Sequence, residues 1–215
     1  MEKKINNLEL FCVTNKRLNF LENTSYKLGW VGLEKAPDNY LKCDHGDNIF
    51  FKEKYYSELT FHFWYWKNKL DLKNDNWIGF CQKRRFWIRK DSENILINHL
   101  NIRDHLLNDI PNDWLDYDSI LCEPIFVNNV KKMKLLKRGL RSILKDPTIL
   151  FDIKKQTLLL HFDMHHGYGN IEKAIDLLKD DDRQEFFDYL NKSISYNPHI
   201  MFISKPEIIN RWFND

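Results

Sequence analysis

The segment DNWIGFCQKRRFWIRK, residues 75–90, joins a short apolar run to a dense group of cations. Its WIGFC portion is continuously apolar, as in a strand that is buried on both faces of a sheet. Two readings of the junction are open from the residues alone: a strand end that meets solvent, or a binding site for an anionic ligand. The basic residues that follow the apolar run are Lys83, Arg84, Arg85, Arg89 and Lys90.

Strand-like runs alternate with helix-like stretches along the rest of the chain. Strands are predicted at 8–14, at the start of 26–40, at 76–81, at 117–127 with a break at Pro124, and at 198–204. Helices are predicted at 15–23, 55–70, 92–110, 131–145, in one or two pieces over 171–190, and after Pro206. This alternation predicts an α/β layered fold with a mainly parallel or mixed central sheet flanked by helices. Because the sequence has no repeat and no low-complexity linker, we expect one domain over residues 1–215.

The aromatic stretch 55–70 is predicted to be a single helix that packs on the sheet. Its buried stripe, by periodicity, consists of Leu59, Phe63, Trp66 and Leu70. A second stripe with the same spacing is polar and contains Glu58, His62 and Tyr65. Glu58 and His62 lie one helical turn apart, which allows either plain surface pairing or a role for Glu58 as a base.

Composition excludes several functional classes. The net charge is only +2, so there is no global attraction to nucleic acid. No apolar run approaches the length of a membrane span, and the first sixteen residues lack the apolar core of a signal peptide. The four cysteines form no CxxC pair, which argues against a structural zinc site. Cys12, Cys81 and Cys122 lie in apolar runs, which suits buried thiols in a reducing compartment, so we expect a cytoplasmic protein. GxxxxGK[ST], GxGxxG and GxSxG are absent, which argues against P-loop kinases, dinucleotide oxidoreductases and α/β-hydrolases.

Ligands of open α/β sheets bind beyond the carboxyl ends of the strands. Arg84 and Arg85 follow one predicted strand directly, and Thr14 and Asn15 follow the first strand. Two guanidinium groups suit a diphosphate, because each binds phosphate oxygens bidentately and stays charged. The alternative is one surface arginine beside one structural ion-pair partner.

Two other segments offer polar side chains for chemistry. CDHGDN, residues 43–48, predicts a loop whose Asp44 and Asp47 could bind sugar hydroxyls or a divalent metal, unless it is an ordinary turn. In LHFDMHHGYGN, residues 160–170, an aspartate and two histidines could supply a general base or bind Mn²⁺ or Mg²⁺, unless they line a plain polar loop. The candidates are Asp163 as first base, His165 and His166 behind it, Glu58 as a further base, and Asp163 with His165 as metal ligands.

The stretch KKMKLLKRGLRSILK, residues 131–145, is basic and amphipathic. It contains seven cations and no acid, and its apolar residues include Met133, Leu136, Leu140 and either Ile143 or Leu144. Such a helix either lies on an anionic membrane surface or packs on the sheet with a solvated basic face.

Four motifs together resemble a known family. They are DHGDNIFFKEKYYSELTFHFWYWKN, WIGFCQKRRFW, MHHGYGNIEKAIDLL and NPHIMFISKPEIINRWF. In this order they are similar to the bacterial capsular and exopolysaccharide glycosyltransferases long catalogued as a domain of unknown function. That family shows GDNIS…ELTA.YW.WKN, then YIGLCHYRRYF, and ends near NMFIM.

The resemblance implies a GT-A-like fold and transfer of a sugar from a nucleotide-diphosphate sugar to a glycan or lipid-linked glycan. A UDP-linked hexose, with galactose or galactofuranose as candidates, is the favoured donor, in capsular, exopolysaccharide or lipopolysaccharide biosynthesis. It also implies a location at the inner face of the plasma membrane, which residues 131–145 could contact. The residues predicted to bind the nucleotide sugar are Thr14, Asn15, Asp44, Gly46, Asp47, Asn48, Lys67, Arg84 and Arg85.

This chain departs from the family pattern at one informative place. The family's His–Tyr before the arginines is Gln82–Lys83 here, and no DxD follows the WIGFC strand. Arg84, Arg85 and Lys83 could therefore neutralise the diphosphate without a metal. Two other functions stay open: a non-catalytic nucleotide-sugar or carbohydrate-binding domain, and a nucleic-acid-binding protein based on the basic helix.

Overall fold

The computed structural model describes residues 7–214. Their contacts group the chain into two compact units. We call Met1–Cys122 with Ile200–Asp215 the sheet unit, and Glu123–His199 the helical unit. The prediction of one domain over residues 1–215 stays a prediction.

A six-stranded sheet forms the centre of the sheet unit. Its order is β3-β2-β1-β4-β8-β5, and β8 alone runs in the opposite direction to the other five strands. The prediction of an α/β fold with a mainly parallel or mixed sheet is therefore confirmed. The strands are β1 (Leu8–Thr14), β2 (Lys27–Trp30), β3 (Leu41–Lys42), β4 (Trp77–Gln82), β5 (Ser119–Leu121) and β8 (Phe202–Ser204), while β6 (Ile125–Phe126) and β7 (Ser195–Tyr196) pair in the helical unit.

Eight α-helices surround these strands in the described part of the chain. The sheet unit contains α1 (Glu53–Tyr56), α2 (Leu59–Asn68) and α8 (Pro206–Asn214). The helical unit contains α3 (Lys132–Arg138), α4 (Leu140–Lys145), α5 (Leu158–His166), α6 (Asn170–Ile175) and α7 (Asp180–Lys192). Short 3₁₀ turns lie at Phe50–Lys52, Lys90–Ser92, Ile102–His105, Asn112–Trp114, Pro147–Leu150 and Ile153–Lys155. Between residues 7 and 214, no helix is long and apolar enough to span a bilayer.

The buried face of α2 differs from the predicted stripe. Phe61, Trp64 and Tyr65 are buried, whereas Phe63 and Trp66 are only half-buried, so the predicted core face was wrong. Tyr65 packs 4.7 Å from the ring of Phe11 on β1, and a Cβ on Gly29 of β2 would overlap Phe61. Because six of its ten positions are large apolar residues and they lie on more than one side of the helix, periodicity alone could not identify the face that meets the sheet.

The predicted helix 55–70 is also interrupted. Ser57 separates α1 from α2 with φ of 45°, in the left-handed region that a non-glycine residue rarely adopts. The helical path resumes at once, since the Thr60 N–H and side-chain hydroxyl both donate to the Ser57 carbonyl. Residues 55–70 contain no glycine or proline that would predict this break.

The predicted helix 92–110 is wrong. This segment contains 3₁₀ turns and irregular backbone, because asparagine side chains take the hydrogen bonds that a helix would need. Asn101 Oδ1 accepts from the Asn98 N–H, and Asn98 Oδ1 accepts from the Leu100 N–H. The short helix predicted in 15–23 is likewise replaced by turns.

The predicted helix 131–145 is divided at Gly139 into α3 and α4. Their inward face consists of Leu135 and Ile143, which join the core formed with Met164 of α5. A Cβ on Gly139 would lie 2.9 Å from the Leu135 carbonyl oxygen and 3.3 Å from the Met164 sulfur. The predicted apolar face was wrong for Met133, Leu136 and Leu140, which are exposed.

His62 on α2 provides a test of this packing. The imidazole is 1% exposed, lies 4.3 Å from the Phe80 ring, and its Nδ1 has no hydrogen-bond partner among the described residues. Burial lowers the His62 pKa from its ordinary value to about 3. An unfolded chain takes up this proton near pH 6.5, so stability is lost as the pH falls from about 6.5 towards 3.

We expect His62→Leu, which is close in volume, to remove this pH dependence. Between pH 7.5 and pH 5 the parent should lose about 2 kcal/mol more unfolding free energy than the variant, because only the parent carries a titrating group in this core. Urea denaturation at both pH values measures the difference. Equal losses in parent and variant would contradict the account.

Candidate functional site

The carboxyl ends of β1, β2, β3 and β4 meet at one edge of the sheet, which we call the carboxyl edge. The chain places β2 and β3 on one side of β1 and β4 on the other. The loops after β1 and β4 therefore diverge, and this topological switch point is where open α/β sheets bind ligands.

A tight turn follows β4 at the switch point. The Arg85 N–H donates to the Gln82 carbonyl at 3.0 Å, which leaves Lys83 and Arg84 at the two central positions of the turn. The Lys83 ammonium donates to Oδ1 of Asn15, so one hydrogen bond joins the loops that follow β1 and β4. Sequence reasoning placed Lys83 near the site but did not foresee this link.

The cations of segment 75–90 fall into two groups. Arg89 pairs with Asp91 at 3.3 Å, and Lys90 pairs with Asp113 at 3.0 Å. Arg84 and Arg85 are exposed, and neither pairs with a carboxylate of residues 7–214. Two guanidinium groups at the switch point thus have charge available for an anionic ligand.

Arg85 lies near Cys122, at the end of β5. Burial raises the pKa of the Cys122 thiol, and the nearby positive charge of Arg85 opposes that shift. Cys122 follows β5 directly and its thiol lies 3.9 Å from the Met201 carbonyl oxygen.

Thr14, the last residue of β1, has a local structural role. Its hydroxyl donates to the Lys16 carbonyl at 2.7 Å and accepts from the Lys16 N–H at 3.0 Å. The side chain is 1% exposed, so this turn orients the exposed Asn15. Of the two residues predicted after β1, Asn15 is the one that solvent and ligands can reach.

Asp44 lies beside a cavity of about 280 Å³ at the carboxyl ends of β2 and β3. Trp30, Ala36 and Phe50 supply apolar wall, and Asp44 and Lys42 are among the polar groups. A flat apolar wall with a few polar groups suits a base or a sugar ring.

The motifs GDN and WKN form one structural clasp. The side chain of Asn68 accepts from the Asp47 N–H at 3.1 Å and donates to the Asp47 carbonyl at 2.8 Å. Gly46 has φ of +61°, and a Cβ there would overlap the Asn68 side chain. Asn48 completes the clasp by bonding the Gly46 carbonyl and the Phe50 N–H. Sequence reasoning missed Asn68, although it belongs to the quoted WKN motif.

This clasp lies at the far end of α2 from the carboxyl edge. Thr60 near the start of α2 contacts the Cys43 thiol, whereas Asn68 ends the helix, about 12 Å further along its axis. Asp47 is therefore displaced from the arginine pair, and Lys67 lies over the Trp66 ring at 3.2 Å. Glu58, at the start of α2, is half-buried on the side nearer the carboxyl edge.

A second cavity, of about 550 Å³, lies towards the amino ends of β1 and β2. Its lining includes the carboxylates of Glu9 and Glu22, and Glu9 already pairs with Lys27. Burial raises the pKa of the Tyr65 phenol, which borders the same cavity. Lys27 and Lys69 also line this cavity and balance the two carboxylates, so it offers a diphosphate no excess positive charge.

The helical unit contains the remaining candidates on or beside α5. Asp163 Oδ1 accepts from the Gly169 N–H at 3.3 Å, and burial raises the Asp163 pKa, which improves the carboxylate as a base. His165 Nδ1 lies 2.8 Å from the His161 carbonyl oxygen and donates to it, which leaves Nε2 as the free acceptor. His166 ends the helix and is exposed.

The proposed metal pair does not share a helix face. Asp163 and His165 are two residues apart on α5, which is about 200° of rotation around the helix axis, so their side chains leave nearly opposite sides of the helix. His165 instead stacks 4.3 Å from His161, a histidine that sequence reasoning missed despite the spacing of four. Among residues 7–214, no three His, Cys, Asp or Glu side chains converge as metal ligands.

The chain is similar to known proteins both in sequence and in fold. The sequence model of a family described as "Domain of unknown function (DUF4422)" matches residues 9–214. No curated protein matches. Among solved structures, the fold is similar to the apo structure of the WbbM bifunctional glycosyltransferase, with a TM-score of 0.48 and 16% sequence identity. The match covers 97% of this chain and 35% of that one, so this chain spans about a third of that protein's length.

We expect Asn68→Ala to destabilise the sheet unit, because it leaves the Asp47 N–H and carbonyl without their partner. A matched control is Asn191→Ala on α7, where the side chain bonds only the carbonyl four residues earlier, as Asn68 also does with Trp64. The Asn68 variant should lose about 2 kcal/mol more unfolding free energy in urea than the control. Equal losses would show that the clasp contributes nothing beyond the helix-end bond.

Proposed function

The chain belongs to the family described as a domain of unknown function, DUF4422, and on that premise we propose that it is a glycosyltransferase using a nucleotide-diphosphate sugar. One observation carries the proposal: Arg84 and Arg85 are exposed at the switch point and have no carboxylate partner within residues 7–214. Cations arranged before the reaction need little reorganisation when charge develops on a leaving group.

In the proposed step, an acceptor hydroxyl oxygen forms a bond to the anomeric carbon of the donor sugar. The bond from that carbon to the diphosphate oxygen breaks, and its electron pair leaves with the nucleoside diphosphate. Arg84 and Arg85 stabilise the negative charge that collects on the diphosphate, with Lys83 held beside them by Asn15. Asp44 and the 280 Å³ cavity would hold the base or a sugar.

The proton of the acceptor hydroxyl passes to a base. Asp163 is our first choice, since burial raises its pKa and makes its carboxylate a stronger base. His165 follows, because its Nε2 is a free acceptor, and then His166 and Glu58. Asp47, Asn48, Gly46 and Lys67 stay predictions as donor-binding residues, with the clasp as their observed structural role.

The donor and acceptor are proposed from the motif resemblance. We favour a UDP-linked hexose, with galactose or galactofuranose as candidates, and a glycan or lipid-linked glycan acceptor. The corresponding setting is capsular, exopolysaccharide or lipopolysaccharide biosynthesis, at the cytoplasmic face of the plasma membrane.

A second candidate function is a non-catalytic nucleotide-sugar-binding domain. The observation that favours it is the replacement of the family's His–Tyr by Gln82–Lys83, where Lys83 is engaged with Asn15. Both functions require donor binding, but only the transferase releases nucleoside diphosphate from the donor. Measuring nucleoside diphosphate release from UDP-, GDP- and dTDP-sugars, and CMP release from CMP-sugars, separates the two.

Donor binding should depend on the unpaired arginines and not on the paired one. We expect one nucleotide sugar of that panel to raise the melting temperature, because it binds only the native state. Arg84→Gln and Arg85→Gln should each weaken this ligand about 10- to 100-fold through loss of a charged hydrogen bond. Arg89→Gln, in the same segment but paired with Asp91, is the matched control and should bind as the parent does.

Two results would count against the site. If no nucleotide sugar shifts the melting temperature, the result contradicts the proposed function itself. If a donor binds but Arg84→Gln, Arg85→Gln and Arg89→Gln all retain parental affinity, the function survives and the location of the diphosphate is wrong.

Metal removal gives an independent prediction. If the cations of the 82–85 turn neutralise the diphosphate, nucleoside diphosphate release should stay within about twofold after EDTA treatment and after addition of Mn²⁺ or Mg²⁺. Abolition by EDTA with recovery in Mn²⁺ would instead require a metal site.

A further inference from the structure

The outward surface of α3 and α4 has two adjacent stripes of different chemistry. Four apolar side chains recur at spacings of three and four residues, which places them on one side of the helical path. They are largely in solvent: Met133 is 64% exposed, Leu136 42%, Leu140 51% and Leu144 75%. Burial of Leu135 and Ile143 on the inward face fixes this outward orientation.

Phe151 extends the apolar stripe. Its ring is 79% exposed, and the Lys132 ammonium lies 5.8 Å from the ring centroid, which places the ring beside the start of α3. The apolar stripe and Phe151 thus form one group of large exposed apolar side chains on neighbouring elements, and such a grouping is typical of an interaction surface.

The second stripe is cationic. Its members form no ion pair with any carboxylate of residues 7–214, although Lys155 nearby does pair with Asp146. Asp163 is near enough to Arg141 and Lys145 for their charges to lower its pKa, but seven cations still leave this surface strongly positive. The cations are Lys131, Lys132, Lys134, Lys137, Arg138, Arg141 and Lys145.

We propose that this docking face, the outward surface of residues 131–145 with Phe151, binds an anionic lipid bilayer. The apolar side chains would enter the boundary between headgroups and acyl chains, while the cations contact lipid phosphates. The commitment to lipid rests on charge: a second copy would present the same seven cations, and a nucleic acid would leave the apolar stripe in water. The inference is independent of the proposed catalytic activity.

Vesicle co-sedimentation of the full chain tests this inference. Vesicles of phosphatidylglycerol and phosphatidylcholine in equal parts should bind the protein, whereas pure phosphatidylcholine vesicles should bind it at least about tenfold more weakly. Binding should fall steeply as salt is raised from 0.1 M towards about 0.5 M, since screening weakens surface charge interactions.

Two sets of substitutions separate the stripes. Lys132→Gln with Lys137→Gln and Arg138→Gln should reduce partition to the anionic vesicles about 100-fold, at about 1 kcal/mol for each cation. Met133→Ser with Leu144→Ser should reduce it at least about tenfold through lost apolar contact. The altered side chains are exposed, and circular dichroism checks that each variant is folded.

A matched control uses the same chemistry elsewhere in the helical unit. Leu177 is 87% exposed between α6 and α7, and Lys173 and Lys179 lie near it in sequence. Leu177→Ser with Lys173→Gln and Lys179→Gln should leave vesicle binding unchanged.

Several outcomes would overturn the proposal. These are no binding to the anionic vesicles, binding that both docking-face variants retain, or equal loss in the Leu177 control. A further contrary result is a parent that self-associates in sedimentation velocity, or binds duplex DNA, through the same residues without binding vesicles.

Discussion

Parallel pairing of β1 with β4 is the constraint on which the sheet unit depends. The register runs from Leu8 opposite Trp77 to Val13 opposite Gln82, so the two strands end together at the carboxyl edge. Because β2 and β3 lie on the other side of β1, the chain must cross over through α2 before it returns as β4. That crossover creates the switch point, and the Lys83–Asn15 hydrogen bond joins its two sides.

The helix α2 supports this arrangement at both of its ends. Its buried face packs aromatic rings against Phe11 and Phe80, the side chains by which β1 and β4 meet the helix layer. Its last residue, Asn68, fixes the loop 44–48 through backbone hydrogen bonds. The GDN and WKN motifs therefore have a structural explanation, while the unpaired arginines of the RRF motif do not have one within the described residues.

The sequence was sufficient for the features that depend on local pattern. Continuous apolar runs predicted β1 and β4, and strand–helix alternation predicted the layered fold. It failed where tertiary packing or side-chain competition decides. Large apolar residues on more than one side of α2 left the face that meets the sheet undecided. Asn98 and Asn101 replaced a predicted helix by turns, and Gly46 and Asn68 come together only in three dimensions. Pairing of Arg89 and Lys90, which singles out Arg84 and Arg85, also depends on partners that the sequence could not identify.

A crystal structure of the protein with UDP would locate the diphosphate. We expect its phosphate oxygens within hydrogen-bond distance of the Arg84 and Arg85 guanidinium groups, beside Asn15 and Lys83. A diphosphate bound in the 550 Å³ cavity among Glu9, Lys27 and Tyr65, with Arg84 and Arg85 left in solvent, would contradict this expectation.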